Sequence, residues 1–280
     1  MKAYRFFVFA FLFSIIFHHA AIAQADTLSY PQVDKAYVFS YFSDTKSLFL
    51  SPVKWQKKDW IIFSSAIAAS ALVSAQDVNV YRFFNRNKNA TTESISKYGL
   101  EPWGSGLYSM GSMGLLYIGG KIFQDKKAEG ASLNATKSFL LSSLLVTIAK
   151  QLVHRHRPYQ VAMDTLQGSS FSQYFMDGPQ FKGSYFKYTS FPSGHTTAIF
   201  AVASSIAYSY RDKPWVSLLA YSVAGLTGIS RIHDDKHWAS DVVMGAALGW
   251  AVGRFVSKHN EWKISPAVGF NQMGVRIQIE

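Results

Sequence analysis

Long segments without Asp, Glu, Lys or Arg recur along this 280-residue chain, and they constrain its fold more than any other feature. They span residues 60–76, 102–120, 138–149, 190–210, 214–230 and 242–253. Most are rich in Ala, Ser, Gly and Leu, a composition that favours closely packed helices. The segments therefore predict an all-α fold, a bundle of about six main helices.

Several of these segments approach the length of about 20 apolar residues that a membrane-spanning helix needs. Segments 60–76, 102–120 and 214–230 come close to it. Segments 138–149 and 242–253 are shorter and have charged residues at both ends, which fits a buried core helix better. Because the mean hydropathy is only +0.04, partial or full membrane embedding and a soluble bundle both stay open.

The N-terminus has the pattern of a signal peptide. A short basic start with Lys2 and Arg5 is followed by the apolar run 6–17, and Ala21 and Ala23 stand where a signal peptidase reads small residues. The pattern predicts a signal peptide over residues 1–23, with a retained anchor helix as the alternative. Either reading predicts export to the cell envelope, with the protein facing the periplasm.

Cysteine usage and charge narrow the function classes. The chain has no cysteine, which excludes disulfides, thiolate metal sites and cysteine nucleophiles. The formal net charge of +11 suits anionic lipids, phosphorylated glycans or phosphate esters as partners. We expect no nucleic-acid partner, because the sequence has no long run dense in Lys and Arg and no familiar nucleic-acid motif.

The remaining segments divide the chain into regions. Residues 24–54 form an N-terminal amphipathic segment, and residues 55–258 form the helical domain. Within the domain, residues 159–188 combine glycines with many aromatics, which suits either an ordered lid or pocket wall, or a packed surface loop. Alternating apolar residues over 259–280 predict a short C-terminal β-hairpin that should pack on the helices, because a lone hairpin is marginal in water.

Three clusters of polar residues lie at predicted helix boundaries. In chain order they are Lys150 with Arg157, then Ser193, Gly194 and His195, then Arg231, His237 and Asp241. Each cluster alone is common: a Ser-Gly pair is an ordinary helix cap, and exposed cations often only solvate a surface. Their occurrence in order, each at a helix boundary, indicates one phosphate-handling site.

The residue types fit that chemistry. A helix N-terminus favours anions, and Gly194 lets the backbone approach a phosphate closely while His195 can exchange a proton there. His237 and Asp241 are four residues apart on one helix face, so the carboxylate can accept the imidazole N–H and fix its tautomer. Nearby Lys and Arg side chains suit a phosphoryl group whose transition state spreads negative charge over its oxygens.

The spacing of these clusters resembles the three motifs of the type 2 phosphatidic acid phosphatase and vanadium haloperoxidase superfamily. The matching motifs are Lys150-(six residues)-Arg157-Pro158, Pro192-Ser193-Gly194-His195 and Ser230-Arg231-(five residues)-His237-(three residues)-Asp241. The resemblance implies a bacterial exported or membrane-associated member, with the helical likeness extending over about residues 55–256.

The resemblance also implies a role for each residue. His237 would be the nucleophile that attacks phosphorus, Asp241 would orient it, and His195 would protonate the leaving group and then activate water. The phosphoryl oxygens would be held by Lys150, Arg157, Ser193, Gly194 and Arg231. No metal and no cofactor is implied. The expected enzyme is a phosphoric ester hydrolase that cleaves a phosphomonoester or pyrophosphate of a lipid or lipid-linked substrate through a phosphohistidine.

Alternatives stay open at this stage. The protein could be a soluble periplasmic non-specific acid phosphatase acting on small phosphoesters, a vanadate-dependent haloperoxidase, or an envelope protein that only binds phosphorylated ligands. A metal cluster is a further alternative, and it would draw on His154, His156, His233, Asp234 and Asp235 together with His237.

Overall fold

The computed structural model describes residues 31–161, 189–259, 264–269 and 272–277. The predicted signal peptide lies outside the described residues, as does most of the aromatic segment 159–188. The α-helices are α1 Lys35–Leu50, α2 Lys57–Ser74, α3 Asp77–Arg86, α4 Ala90–Ser94, α5 Glu101–Ser105, α6 Leu107–Phe123, α7 Lys126–Val153, α8 Gly194–Ser209, α9 Pro214–His233 and α10 Ala239–His259. Short 3₁₀ turns cover Ser51–Lys54 and Pro158–Gln160, and Ile95–Leu100 is π-helical.

Local signals in the sequence set the ends of the main helices. Asp125 caps α7 by accepting a hydrogen bond from the backbone N–H of Ala128. The same helix ends where His154 adopts a left-handed conformation with φ 46°. Pro214 occupies the first turn of α9, where its missing N–H costs nothing. These signals set where α7 begins and ends and where α9 begins.

Helix α8 is the centre of the bundle. Its Ile199 and Val202 form a buried apolar cluster with Ala135 of α7 and Ala224 of α9. Helix α10 lies on the other side of α8 at very short range. A Cβ atom at Gly249 would come within 2.2 Å of the backbone oxygen of Thr197, so only glycine permits this approach.

The predicted fold class needs correction. The described residues contain more helices than the predicted six, because the charge-free segments leave out α1 and the short helices α3, α4 and α5. The fold class is helical, and a β-hairpin is not a component of it. The backbone of β1 (Ile264–Gly269) and β2 (Gln272–Ile277) pairs antiparallel as a two-stranded ribbon, which is too small to form a layer of a domain.

Helices long and apolar enough to cross a membrane are present, judged by length and composition. Three such spans are Lys126–Gln160, Pro214–His233 and Ala239–Lys258. A fourth is possible if Lys57–Ser74 and Asp77–Arg86, which meet at a 58° bend, count as one broken span. Helices α7 and α10 exceed their charge-free segments because charged residues such as Lys137 lie inside them. Both helices are therefore long enough to span, so the spanning alternative for segments 138–149 and 242–253 stays open beside the buried core helix that fits them better.

Candidate active site

His237 lies in the turn between α9 and α10 and is almost completely buried. Its Nδ1 atom is 3.5 Å from Oδ2 of Asp241, and it has no hydrogen-bond partner among the described residues. The distance allows electrostatic attraction but is longer than a normal hydrogen bond. Burial, reinforced by the positive charges of Lys150 and Arg157, lowers the pKa of His237 to about 3. The imidazole is therefore neutral near pH 7, as a nucleophile must be.

Asp241 is held by several groups besides His237. Oδ2 accepts hydrogen bonds from the Ser190 hydroxyl at 2.5 Å and from the backbone N–H of Trp238 at 2.9 Å. Oδ1 forms an ion pair with Arg155. Asp241 lies in the first turn of α10, where the helix dipole also stabilises a negative charge. The carboxylate is thus ionised and fixed in place beside His237.

Arg155 is a central residue of the site, and it was not predicted from the sequence. Its guanidinium is buried and bridges Asp241 on one side and Asp77 on the other, with Nη2 at 2.8 Å from Oδ2 of Asp77. Asp77 in turn accepts hydrogen bonds from the backbone N–H and the hydroxyl of Ser240, at 2.9 and 2.5 Å. The three charged residues therefore tie α3, the end of α7 and the start of α10 together. The motif spacing selects Arg157 and gives Arg155 no role.

His195 is the second residue of α8 and contacts a carboxylate that was also not predicted. Its Nε2 atom is 2.9 Å from Oε1 of Glu101 in α5. Glu101 is also 4.0 Å from Nη1 of Arg231. Burial lowers the pKa of His195, while Glu101 opposes this shift. A Cβ atom at Gly104 would lie 2.7 Å from that of His195, so α5 packs directly on the imidazole.

Lys150, Arg157 and Gly194 lie together. Lys150 donates a hydrogen bond from Nζ to the backbone oxygen of Thr189 at 2.6 Å, and Nη2 of Arg157 lies 3.3 Å from the Thr189 hydroxyl. A Cβ atom at Gly194 would lie 3.6 Å from Cε of Lys150. Lys150 therefore lies beside the glycine that opens α8, and Arg157 shares with Lys150 the contact to Thr189.

The other two predicted phosphate ligands are held differently. Arg231 is buried and paired with Asp234, with Nη2 2.7 Å from Oδ2. The Ser193 hydroxyl is completely buried and shares a hydrogen bond of 2.8 Å with the Thr196 hydroxyl. Either hydroxyl can be the donor in that bond, so Ser193 can give its proton to a phosphate when Thr196 donates to it. Its backbone N–H donates to the backbone oxygen of Asp241 at 3.0 Å, which joins the starts of α8 and α10.

The residues of the alternative metal cluster do not form one in the described part of the chain, where no group of three or more His, Asp or Glu is arranged to hold a metal ion. His233 instead contacts Asp234 and Thr92, both at 2.9 Å. Asp235 forms an ion pair with Lys88 at 2.6 Å. These contacts attach the turn before His237 to the segment around α4.

A known protein family matches the part of the chain that holds this site. The model of the PAP2 superfamily matches residues 132–265, a range that holds all eight predicted site residues. Just under half of this chain is therefore similar to the PAP2 superfamily. The match confirms the resemblance seen in the three motifs. The structure brings these motifs to one end of the bundle, where α7 and α9 end and α8 and α10 begin.

The chain is also similar to individual proteins of known sequence or structure. A lipid A 1-phosphatase from Porphyromonas gingivalis is 52% identical over 65 residues, which cover 23% of this chain and only 15% of that protein. The crystal structure of a transmembrane phosphatidylglycerolphosphate phosphatase from Bacillus subtilis matches with a TM-score of 0.53 and 22% identity, over 73% of this chain and 96% of that one. The crystal structure of Aquifex aeolicus LpxE matches with a TM-score of 0.46 and 22% identity, over 65% and 94% of the two chains. The Bacillus subtilis structure supports a shared fold.

Proposed function

We propose that this protein is a phosphoric ester hydrolase that removes phosphate from a phosphorylated lipid or lipid-linked substrate through a phosphohistidine. One observation carries the proposal. A buried, neutral His237 lies 3.5 Å from an ionised Asp241, and Lys150 and Arg157 are close enough to lower its pKa. A neutral imidazole among cations is poised to attack a phosphate that those cations hold.

The first step transfers the phosphoryl group to His237. Since Nδ1 faces Asp241, Nε2 is the atom that attacks phosphorus, and the bond from phosphorus to the leaving oxygen breaks. The leaving alkoxide takes its proton from His195. The positive charge that develops on the His237 ring is balanced by the carboxylate of Asp241, which explains why that carboxylate is held ionised.

The second step releases phosphate. His195, now neutral, accepts a proton from a water molecule, whose oxygen attacks the phosphohistidine. The bond between phosphorus and Nε2 breaks, and His237 returns to its neutral form. In both steps the charge on the phosphoryl oxygens is stabilised by Lys150, Arg157 and Arg231, and by the backbone amides at the start of α8.

A lipid substrate is supported by the surroundings of the site and by the relatives. Among the described residues, three helices are long and apolar enough to cross a membrane. Two of the similar proteins are a lipid A 1-phosphatase and a phosphatidylglycerolphosphate phosphatase. We further propose that the chain is inserted in the cell envelope behind an N-terminal signal peptide, and that the site faces the periplasm. The sequence pattern of residues 1–23 supports that location.

A substrate panel tests the proposal. We expect detergent-purified full-length protein to release phosphate from at least one of phosphatidate, phosphatidylglycerol phosphate, lipid A and undecaprenyl pyrophosphate, with kcat/KM at least ~10-fold above that for p-nitrophenyl phosphate. The lipid preference reflects binding energy from the acyl or prenyl chain. Equal turnover of the small ester, by protein that high salt washes off membranes, would instead establish the soluble acid phosphatase.

The contact between Glu101 and His195 predicts a change in pH dependence. Because Glu101 raises the pKa of His195 against the effect of burial, the substitution Glu101→Gln should lower that pKa further. Protonated His195 is required to expel the leaving group, so kcat/KM falls as the pH rises through this pKa. The falling limb should move toward acid by roughly one pH unit in Glu101→Gln.

The matched control is Glu93→Gln, which removes an exposed carboxylate on nearby helix α4. Its pH profile of kcat/KM should coincide with that of the unmodified protein. A Glu101→Gln enzyme whose rate drops by the same factor at every pH would show that Glu101 is structural and does not set the proton affinity of His195.

A further inference from the structure

The helical bundle has a second end, opposite the candidate site. Helices α7 and α9 end at the site while α8 and α10 begin there, so their other ends lie together. Helix α2 also starts at that end, because Ser70 near its C-terminus donates a hydrogen bond to the backbone oxygen of Ser240. At 1.5 Å per residue the two ends are ~25–35 Å apart. We call residues 51–60, 121–127, 210–214 and 254–258 the distal face.

One corner of the distal face joins α1 to α2. Three lysines, Lys54, Lys57 and Lys58, are exposed within five residues of one another. Between and beside them, the rings of Trp55 and Trp60 contact each other with centroids 4.9 Å apart. Trp60 is 48% exposed. Aromatic rings beside lysines are typical of the boundary between lipid and water.

A second corner joins α8 to α9 and repeats this composition. Arg211 lies over the ring of Tyr208 at 5.2 Å, and Lys213 lies 5.9 Å from the ring of Tyr210. Lys127, from the start of α7, lies 4.9 Å from the same Tyr210 ring. Cations from the α8–α9 connection and from the start of α7 therefore gather around two tyrosines at this corner.

Acidic residues of the distal face are already engaged within the protein. Asp59 accepts a hydrogen bond from the backbone N–H of Gln56 at the start of α2. Asp212 forms an ion pair with Lys127. Asp125 accepts a hydrogen bond from the backbone N–H of Ala128 at the start of α7. The lysines of the first corner therefore present their positive charge to whatever lies outside the protein.

We propose that the distal face is a docking surface for the anionic headgroups of phospholipids, in the leaflet opposite the candidate site. The inference rests on the membrane insertion proposed above. The lysines supply positive charge for lipid phosphates, and the tryptophans supply rings that partition into the headgroup region. Clustered cations beside a membrane span also favour the cytoplasmic side, so this surface orients the candidate site toward the periplasm.

Thermal unfolding in mixed micelles tests the docking surface. Full-length protein in detergent is titrated with phosphatidylglycerol or with phosphatidylcholine, which has no net charge. We expect phosphatidylglycerol to raise Tm by several degrees more than phosphatidylcholine does, because a ligand that binds only the folded state stabilises it. The triple variant Lys54→Gln, Lys57→Gln, Lys58→Gln should lose at least half of that difference.

The matched control is a triple variant at three basic residues near the site end, Arg82→Gln, Arg86→Gln and Lys97→Gln. It should keep the full difference in Tm between phosphatidylglycerol and phosphatidylcholine. Equal Tm shifts with both lipids, or an equal loss in both triple variants, would overturn the proposal. Phosphate release in detergent should be unchanged in the distal triple variant. Measuring Tm requires no turnover. The experiment can therefore contradict the proposed docking surface without contradicting the proposed phosphatase activity, and the reverse is also true.

Discussion

The substitution His237→Ala should reduce kcat for every phosphoester substrate by at least about 10⁴-fold, a loss of the size seen when other enzymes lose their nucleophile. The reason is that no other described side chain occupies the position between Asp241 and the cations. The fold should survive, because Nδ1 of His237 makes no hydrogen bond within the described residues. Initial rates of phosphate release, together with the thermal unfolding midpoint, check both statements.

Acid quench with ³²P-labelled substrate separates the role of His237 from that of His195. We expect the variant His195→Ala to accumulate an acid-labile phosphoenzyme, because it can form the phosphohistidine with a good leaving group but cannot activate water to hydrolyse it. The double variant His195→Ala, His237→Ala should trap no label. Label retained in the double variant would place the covalent intermediate on another residue.

A second buried histidine offers the control for His237. His154 is also buried, and it lies at the end of α7 with φ 46°. His154→Asn removes the imidazole and keeps a residue that tolerates this backbone conformation. Its kcat should stay within a few-fold of that of the unmodified protein. A loss as large as in His237→Ala would mean that the assay detects general damage to the site end of the bundle.

The sequence could predict the parts of the site that local spacing encodes. His237 and Asp241 are four residues apart, and Ser193 and Gly194 open a helix. The relative positions of these side chains therefore depend only on residues close to them in the sequence. The roles drawn from the family resemblance stay predictions until the variants are measured. The match to the PAP2 superfamily covers residues 132–265, the range that holds the same three motifs.

The parts that the sequence could not predict depend on contacts between distant segments. Asp77 meets Arg155 across 78 positions, and Glu101 meets His195 across 94. Neither carboxylate lies in a recognisable motif, because an isolated acidic residue at the start of a helix is usually an ordinary first-turn residue. The predicted number of helices was too low for a related reason. Short helices such as α4 and α5 are stabilised by packing on the bundle, and their sequences are too short to show a detectable periodicity.

The substitution Arg155→Met should cause the largest loss of stability of any single change at the site, roughly 3–5 kcal/mol. The guanidinium is buried between two buried carboxylates, those of Asp77 and Asp241. Removing it leaves both negative charges without their shared counter-ion in a region of low dielectric. For a domain of this size the thermal midpoint should fall by roughly 10 °C. Thermal unfolding in a fixed detergent measures the change.

Two further variants decide whether the loss arises from unpaired buried charge. The double variant Arg155→Met, Asp77→Asn should unfold at a higher temperature than Arg155→Met alone, because it removes one of the two stranded carboxylates. Lys88→Met breaks an ion pair of similar length whose side chains are each 19% exposed, and it should cost at most about 1 kcal/mol. If Arg155→Met is no less stable than Lys88→Met, the bridge does not hold Asp241 in place. The ionised carboxylate beside His237 would then depend on Ser190 and on the first turn of α10 instead.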